Sequence, residues 1–273
     1  KTFKLAADID LDLNGDRWTP IGATGKFLGT FDGQGNTIYN LLVSETGKAA
    51  AGLFANGRVI KNLRVENAEV YGHYKAAVIV ADGLCTRVEN CTVDGAVVLS
   101  TPYNKNEANN VGAIVGYLSG EPTAYVKNCT VKNAEITAYR KVGGVVGAAN
   151  KAAEVTGNKV YSTVITADMT AEYSEVKPAD IGYIVGWAAA TATVSDNTPA
   201  GGINTANSEA VFAFVKVKDA AGIYQYSDVA VVLPAGEYNL TEDVKSQSIH
   251  VEGDVEITAG KIETGNANQY GFV

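Results

Sequence analysis

Apolar and polar residues alternate with a period of two where the chain begins, and the alternation later becomes a repeat. In Leu5-Ala-Ala-Asp-Ile-Asp-Leu-Asp-Leu13, Asp8, Asp10 and Asp12 alternate with Ile9, Leu11 and Leu13. A strand with one buried face gives that period, because successive side chains leave it on opposite sides. Asn14-Gly15 then turns the chain. Four later segments align without gaps: Ile60-Lys-Asn-Leu-Arg-Val-Glu-Asn-Ala-Glu-Val70, Val88-Glu-Asn-Cys-Thr-Val-Asp-Gly-Ala-Val-Val98, Val126-Lys-Asn-Cys-Thr-Val-Lys-Asn-Ala-Glu-Ile136 and Val155-Thr-Gly-Asn-Lys-Val-Tyr-Ser-Thr-Val-Ile165. A β-branched or apolar residue holds the first, sixth and last positions. Val194-Ser-Asp-Asn-Thr is a truncated fifth copy, and Ile38-Tyr-Asn-Leu-Leu-Val43 reads as an earlier one.

A glycine-rich unit precedes the copies: Ala51-Gly-Leu-Phe54, Ala76-Ala-Val-Ile-Val80, Val111-Gly-Ala-Ile-Val-Gly116, Val142-Gly-Gly-Val-Val-Gly147 and Ile181-Gly-Tyr-Ile-Val-Gly186. Each cycle is therefore two short strands separated by turns. Counted from Ile38, the first positions fall 22, 28, 38, 29 and 39 residues apart. One cycle cannot bury its own apolar face, whereas stacked cycles can, at about 4.8 Å per layer. The pattern predicts an all-β coil of parallel strands. Residues 100–110 and 167–179 loop out after the same strand, hence from one edge. A β-sandwich is the rival, but it gives no account of a gapless in-register motif.

Composition changes near Pro199-Ala-Gly-Gly-Ile-Asn-Thr-Ala-Asn207, which predicts a boundary at about residue 200. Residues 1–200 would form the repeat domain. Residues 201–273 would form a β-rich cap, or a continuation of the coil. The net charge of −8 gives no basic face for nucleic acid or an anionic membrane. No apolar run reaches the roughly 18 residues of a membrane helix. The chain begins at Lys1 inside a strand-like pattern, as a trimmed product would. Three cysteines cannot make a full disulfide framework. Cys91 and Cys129 share a repeat position and are expected to stack inside as free thiols, with Cys85 in a turn. Asn62, Asn90 and Asn128 also share one position and are expected to form an amide ladder.

The candidate chemistry is sparse. Asp10, Asp12, Asn14 and Asp16 match the first half of a calcium loop, but position twelve is Ile21 rather than a bidentate Glu, and an acidic strand face explains them equally. Calcium is the one cofactor considered. Tyr71, Tyr74, Tyr103, Tyr139 and Tyr173 follow the last repeat position, with Lys75, Lys105 and Arg140 near three of them. Aromatic faces beside hydrogen-bonding groups suit sugar or protein recognition. The alternative is that these rings merely cover the strand ends. No Asp-Asp pair is present for a hydrolase, and neither His73 nor His250 can be placed in a triad. Arg64 and Arg87 lie near Glu66 and Glu89, as an arginine-dependent lyase or a plain charged face would have them.

Trp18-Thr-Pro-Ile-Gly22, Phe27-x-Gly-Thr-Phe-Asp-Gly-x-Gly-x-x-Ile38, Gly52-Leu-Phe54 and Ile60-Lys-Asn-Leu63 resemble the GLUG-motif repeat proteins of bacterial surfaces, many of them secreted or lipid-anchored adhesin-like proteins of gut Bacteroidetes. The resemblance covers about residues 1–198 and is specific in the first 65. It implies a right-handed parallel β-helix, an extracellular or cell-surface location and a binding role. Leu233-Pro-Ala-Gly-x-Tyr238 resembles an opening found in pectin-lyase-like β-helices. The expectation is a monomeric, non-enzymatic surface protein that binds a glycan or a host or bacterial surface protein through its looped edge, without inserting into membrane. A polysaccharide-degrading enzyme or its inactive relative, and a structural spacer, are the alternatives. Within the opening stretch, Phe27, Phe31 and Ile38 should fill an early layer, with Gly29, Gly33 and Gly35 at its corners.

Overall fold

The computed structural model describes residues 1–12, 16–102, 109–120, 124–161, 163–168 and 181–198, and beyond them the strands Ala213–Lys218, Tyr224–Tyr226, Ala230–Asn239, Val244–Ser246, Ser248–Ala259 and Ile262–Thr264. The described residues are all-β and contain no helix. One coil of chain visits four sheets in turn. In the clearest coil these are Gly57–Lys61 in sheet one, Arg64–Gly72 in sheet two, Lys75–Ala76 in sheet three and Val80–Leu84 in sheet four. The next coil repeats the circuit with Arg87–Glu89, Thr92–Ser100, Asn110–Gly112 and Val115–Ser119. Each strand of these two coils pairs in parallel with its counterpart one coil away, which is consistent with a parallel β-helix. Parallel pairing removes the antiparallel sandwich.

The gapless alignment holds residue for residue. Phe3, Phe31, Ile60, Val88, Val126, Val155 and Val194 form one column through sheet one. Ile38, Val65, Val93, Val131 and Val160 form a second. Val43, Val70, Val98, Ile136 and Ile165 form a third, and Val215 extends it. From the second coil to Ile165 these side chains are nearly all fully buried. Each full burial of this kind is worth about 1.5–3 kcal/mol. Ala213–Lys218 thus carries sheet two across the boundary expected near residue 200, and Tyr224–Tyr226 folds back on it antiparallel.

One assignment changes. Ile38 stands opposite Val65, not Ile60, and Phe31 holds the first position of its coil. That coil is therefore 29 residues long (60 − 31) rather than 22. The cause is that one coil has two corners of the same chemistry. At each corner a residue with positive φ separates two apolar ones. The first corner carries Asn62 (φ 52°), Asn90 (54°), Asn128 (54°), Gly157 (68°) and Asp196 (56°). The second carries Asn40 (57°), Asn67 (55°), Gly95 (66°) and Asn133 (52°). Asn tolerates this left-handed backbone better than most residues. Ile38-Tyr-Asn-Leu41 and Ile60-Lys-Asn-Leu63 look alike because both turn the chain, at different corners.

The expected amide ladder is present at the first corner: Asn90 Nδ2 donates to Asn62 Oδ1 at 3.3 Å, and Asn62 Nδ2 to Asp32 Oδ1 at 3.0 Å. Beside it, Leu63, Cys91, Cys129, Asn158 and Asn197 stack inside the coil. Cys91 and Cys129 are buried free thiols, and Cys85 is exposed and free. Burial, and then the neighbouring Cys91 thiol, pushes the Cys129 thiol well above the ordinary range. Above them the column becomes polar. Asn158 Nδ2 donates to Val126 O and to Asn197 Oδ1, its Oδ1 accepts from Cys129 N–H, and its own N–H donates to Asn197 Oδ1.

Phe27 and Phe31 both pack on Phe54 at 5.4 Å between ring centroids, as fillers of the early layer. Gly33 and Gly35 lie at the corner as expected. Gly29 does not: it lies within the strand Phe27–Asp32, where the register slips between Phe27 and Thr30. Trp18 donates its indole N–H to Leu53 O at 3.1 Å, tying the first coil to the second.

A candidate aromatic and lysine site between sheets three and four

Gly112, Gly143 and Gly182 form a column in sheet three, and Gly116, Gly147 and Gly186 form one in sheet four. A Cβ on Gly112 would come within 2.6 Å of Val145 O, and one on Gly116 within 2.6 Å of Ala81 O. The glycine-rich unit therefore lets two sheets approach backbone to backbone. In the earlier coil Ala77 and Ala81 take the corresponding positions, both fully buried. The residue two before the first glycine and the residue after the second are brought to the same corner.

In successive coils the sheet-three position is Lys75, Asn110 and Lys141. The sheet-four position is Asp82, Tyr117, Ala148 and Trp187. Lys75 Nζ pairs with Asp82 Oδ2 at 2.9 Å on its own coil and lies 4.5 Å from the Tyr117 ring centroid on the next. It also lies 5.1 Å from the Tyr74 ring. Lys141 Nζ lies 3.8 Å from the centroid of Trp187, again one coil along. The same geometry thus occurs twice, two coils apart. Asn150 Nδ2 donates to the Tyr117 hydroxyl at 2.8 Å. Tyr74, Tyr117 and Trp187 are half-buried, fixed below and partly open to solvent. Parallel stacking sets Tyr117 and Trp187 about 9–10 Å apart along the coil axis. A cation over a ring face holds that ring in place and contributes about 0.5–2 kcal/mol.

Of the residues expected at the looped edge, Tyr74 and Lys75 belong to this site. Tyr71 does not: it lies outside on sheet two, in register with Ser44 and Leu99, and donates to Glu69 Oε2 at 3.0 Å. That bond, then burial, raises its phenol above the ordinary range. Tyr139 is a correction, because only 4% of it is exposed. It lies between the strands Glu135–Ala138 and Lys141–Gly143, at a corner where it is covered rather than open to a ligand. Arg140 is half-buried and precedes Lys141 as Tyr74 precedes Lys75. Tyr103 and Tyr173 lie outside the described residues. Tyr117, Asp82, Asn150 and Trp187 escaped the reading of the sequence. Aligning the glycine units and reading the residue after the last glycine would have found Tyr117 and Trp187.

Asn14 lies outside the described residues. Asp10 Oδ1 accepts from Asp12 N–H and from Asn40 Nδ2, each at 2.9 Å. Those two bonds, in that order, lower its carboxyl below the ordinary range. Among the described residues no group of three or more His, Cys, Asp or Glu is placed to hold a metal ion. Arg64 binds Glu66 on its own strand and Asp94 one coil on, at 3.0 Å. Lys132 reaches the same Asp94 at 3.1 Å.

No family model matches the chain. The chain is similar to halomucin of Haloquadratum walsbyi, with 31% identity over 132 residues. That match takes in 44% of this chain and 1% of halomucin, so the chain spans a very small part of that protein's length. It is also similar in structure to a Bacteroides ovatus protein whose crystal structure is described as that of a "putative immunoglobulin A1 protease". The TM-score is 0.57 at 17% identity, over 96% of this chain and 77% of the other. At that identity the likeness concerns the fold alone.

Proposed function

We propose that the chain is a right-handed parallel β-helix of a cell-surface, adhesin-like protein, and that it binds a glycan without chemical turnover. The handedness follows from the strong preference of strand–crossover–parallel-strand connections for the right-handed form. An extracellular location agrees with the GLUG-like motifs of the first 65 residues. The observation that carries the binding reading is the repeated pairing of a lysine with a ring one coil along, Lys75 on Tyr117 and Lys141 on Trp187. Rings held rigid at a repeating distance lose little freedom on binding, and they offer flat apolar area beside amide, hydroxyl and ammonium groups. Two rings two coils apart suit a run of sugar residues rather than a single ring. Lys75 is already neutralised by Asp82, which favours a neutral glycan over an acidic one.

A glycan array followed by titration of the best ligand tests this reading. Tyr117→Ala and Trp187→Ala are expected to weaken binding about tenfold each, within the range of about 1–3 kcal/mol that an aromatic anchor contributes. Tyr71→Ala should leave binding unchanged. A ligand bound equally by all three variants would remove the site from the reading.

A further inference from the structure

A second site lies across the molecule's surface, where the turn Leu84–Cys85 leaves sheet four and meets sheet one. There a cavity of about 260 Å³ is walled by Lys26, Phe27, Leu28, Arg58, Leu84 and Cys85. It holds the most exposed large apolar side chains among the described residues apart from Phe3: Leu28 at 67% and Leu84 at 48%. Phe3 itself, 49% exposed, packs on Phe27 at 5.5 Å between ring centroids and extends the apolar floor. Isolated exposed apolar residues need no explanation, but a contiguous cluster over a cavity does. No acidic side chain lines the cavity. Lys26 and Arg58 are exposed, and no described carboxylate pairs with either. Elsewhere the lysines and arginines of this acidic chain are repeatedly matched to carboxylates, as Lys61 is to Asp32 and Lys75 to Asp82.

We propose that this cavity binds an anionic amphiphile, its apolar body on Phe27, Leu28 and Leu84 and its carboxylate between Lys26 and Arg58. The volume falls below the roughly 300–1,000 Å³ of sites for drug-sized ligands, so the occupant is a short chain rather than a long one. Charge selects among amphiphiles: an alcohol of equal length would gain the same apolar contact and lose the two cations. This site is independent of the glycan reading, since it shares no residue with it.

Cys85 supplies the readout. It is the exposed thiol of the three and stands in the cavity wall, whereas Cys91 and Cys129 are buried. The experiment follows alkylation of Cys85 by N-ethylmaleimide in the whole chain, with calorimetry alongside, using decanoate below its micelle concentration and decanol as the neutral control. Decanoate is expected to bind saturably and to slow alkylation several-fold, and decanol to do neither at the same concentration. Arg58→Glu and Lys26→Glu should each weaken decanoate binding about tenfold or more. Leu84→Ser should weaken it as well, and all three sites are exposed, so circular dichroism should confirm unchanged folding. Equal protection by decanol, an alkylation rate indifferent to decanoate, or full binding by Arg58→Glu would each overturn the proposal. So would binding to phosphatidylglycerol vesicles without binding to decanoate monomer, which would make the patch a membrane-surface contact instead.

Discussion

Asparagine does two different jobs in this chain, and the difference is one of side-chain surroundings. At the corners, Asn40, Asn62, Asn67, Asn90, Asn128 and Asn133 supply a left-handed backbone, and most of them remain in contact with solvent. Asn158 and Asn197 lie inside, 0% and 4% exposed, where an amide is tolerated only when fully bonded. Replacing Asn158 by Ala would leave the Cys129 N–H without its acceptor and take one donor each from Val126 O and Asn197 Oδ1. Urea denaturation of Asn158→Ala is expected to show a loss of about 1–3 kcal/mol, as for other buried groups stripped of partners. The corner asparagines were legible in the sequence because one residue type recurs at one spacing. The interior column was half legible: two stacked cysteines announced themselves, but Leu63, Cys91, Cys129, Asn158 and Asn197 share no chemistry that marks them as one column. Ile38 was misplaced for the opposite reason, since two corners of a coil ask for the same three residues.

Between elements, charge fixes which strand lies over which. In sheet one the outward column runs Lys4, Asp32, Lys61, Glu89 and Lys127, with the sign alternating at each coil. A one-residue slip would end that alternation and would also expose the apolar column beside it. In sheet two, Asp94 lies among Arg64, Lys132 and Asn133. Burial alone would raise its carboxyl. The bonds from Asn133 and Lys132 and the two positive charges outweigh that, and its folded-state pKa is lowered. A lowered carboxyl stabilises the fold above the unfolded value, about 3.9, and that contribution is lost as pH falls through the folded one. Melting temperature is therefore expected to drop below about pH 4, and Asp94→Asn should show a smaller drop over the same interval while melting lower at pH 7. A drop of equal size in both proteins would assign the acid sensitivity elsewhere. The lysine and ring site belongs to this scale too. Tyr74 and Lys75 were found as a local pair. Their partners Asp82 and Tyr117 come from the next sheet and the next coil, a distance no local pattern spans, and the burial of Tyr139 was not legible because sequence does not say which corner residues are covered.

For the whole molecule, each coil touches chiefly the coils before and after it, so stability accumulates by neighbours. No helix among the described residues is long and apolar enough to cross a membrane. The repeat made the parallel stacking legible in advance, because a gapless motif over cycles of unequal length admits few other arrangements. The narrow approach of sheets three and four was legible only as a run of glycines whose purpose needed the neighbouring backbone to explain.

The in-register columns have a consequence for how this protein can change length. The chain possesses a spatial reading frame: loops between sheets differ in length from coil to coil, but strand material can be removed only in whole circuits. Residues 126–154 form one such circuit of 29, since Val126 and Val155 occupy the same column. Deleting them joins Tyr125 to Val155 and sets Val155 directly over Val88. That shortened protein is expected to fold, with strand content by circular dichroism reduced in proportion, and to bring Trp187 one step from Tyr117. Deleting a single residue from a paired strand of the same circuit, such as Thr130–Lys132, should prevent folding. Evolution working on such a frame adjusts the distance between its two rings in fixed increments, a ruler graduated in coils.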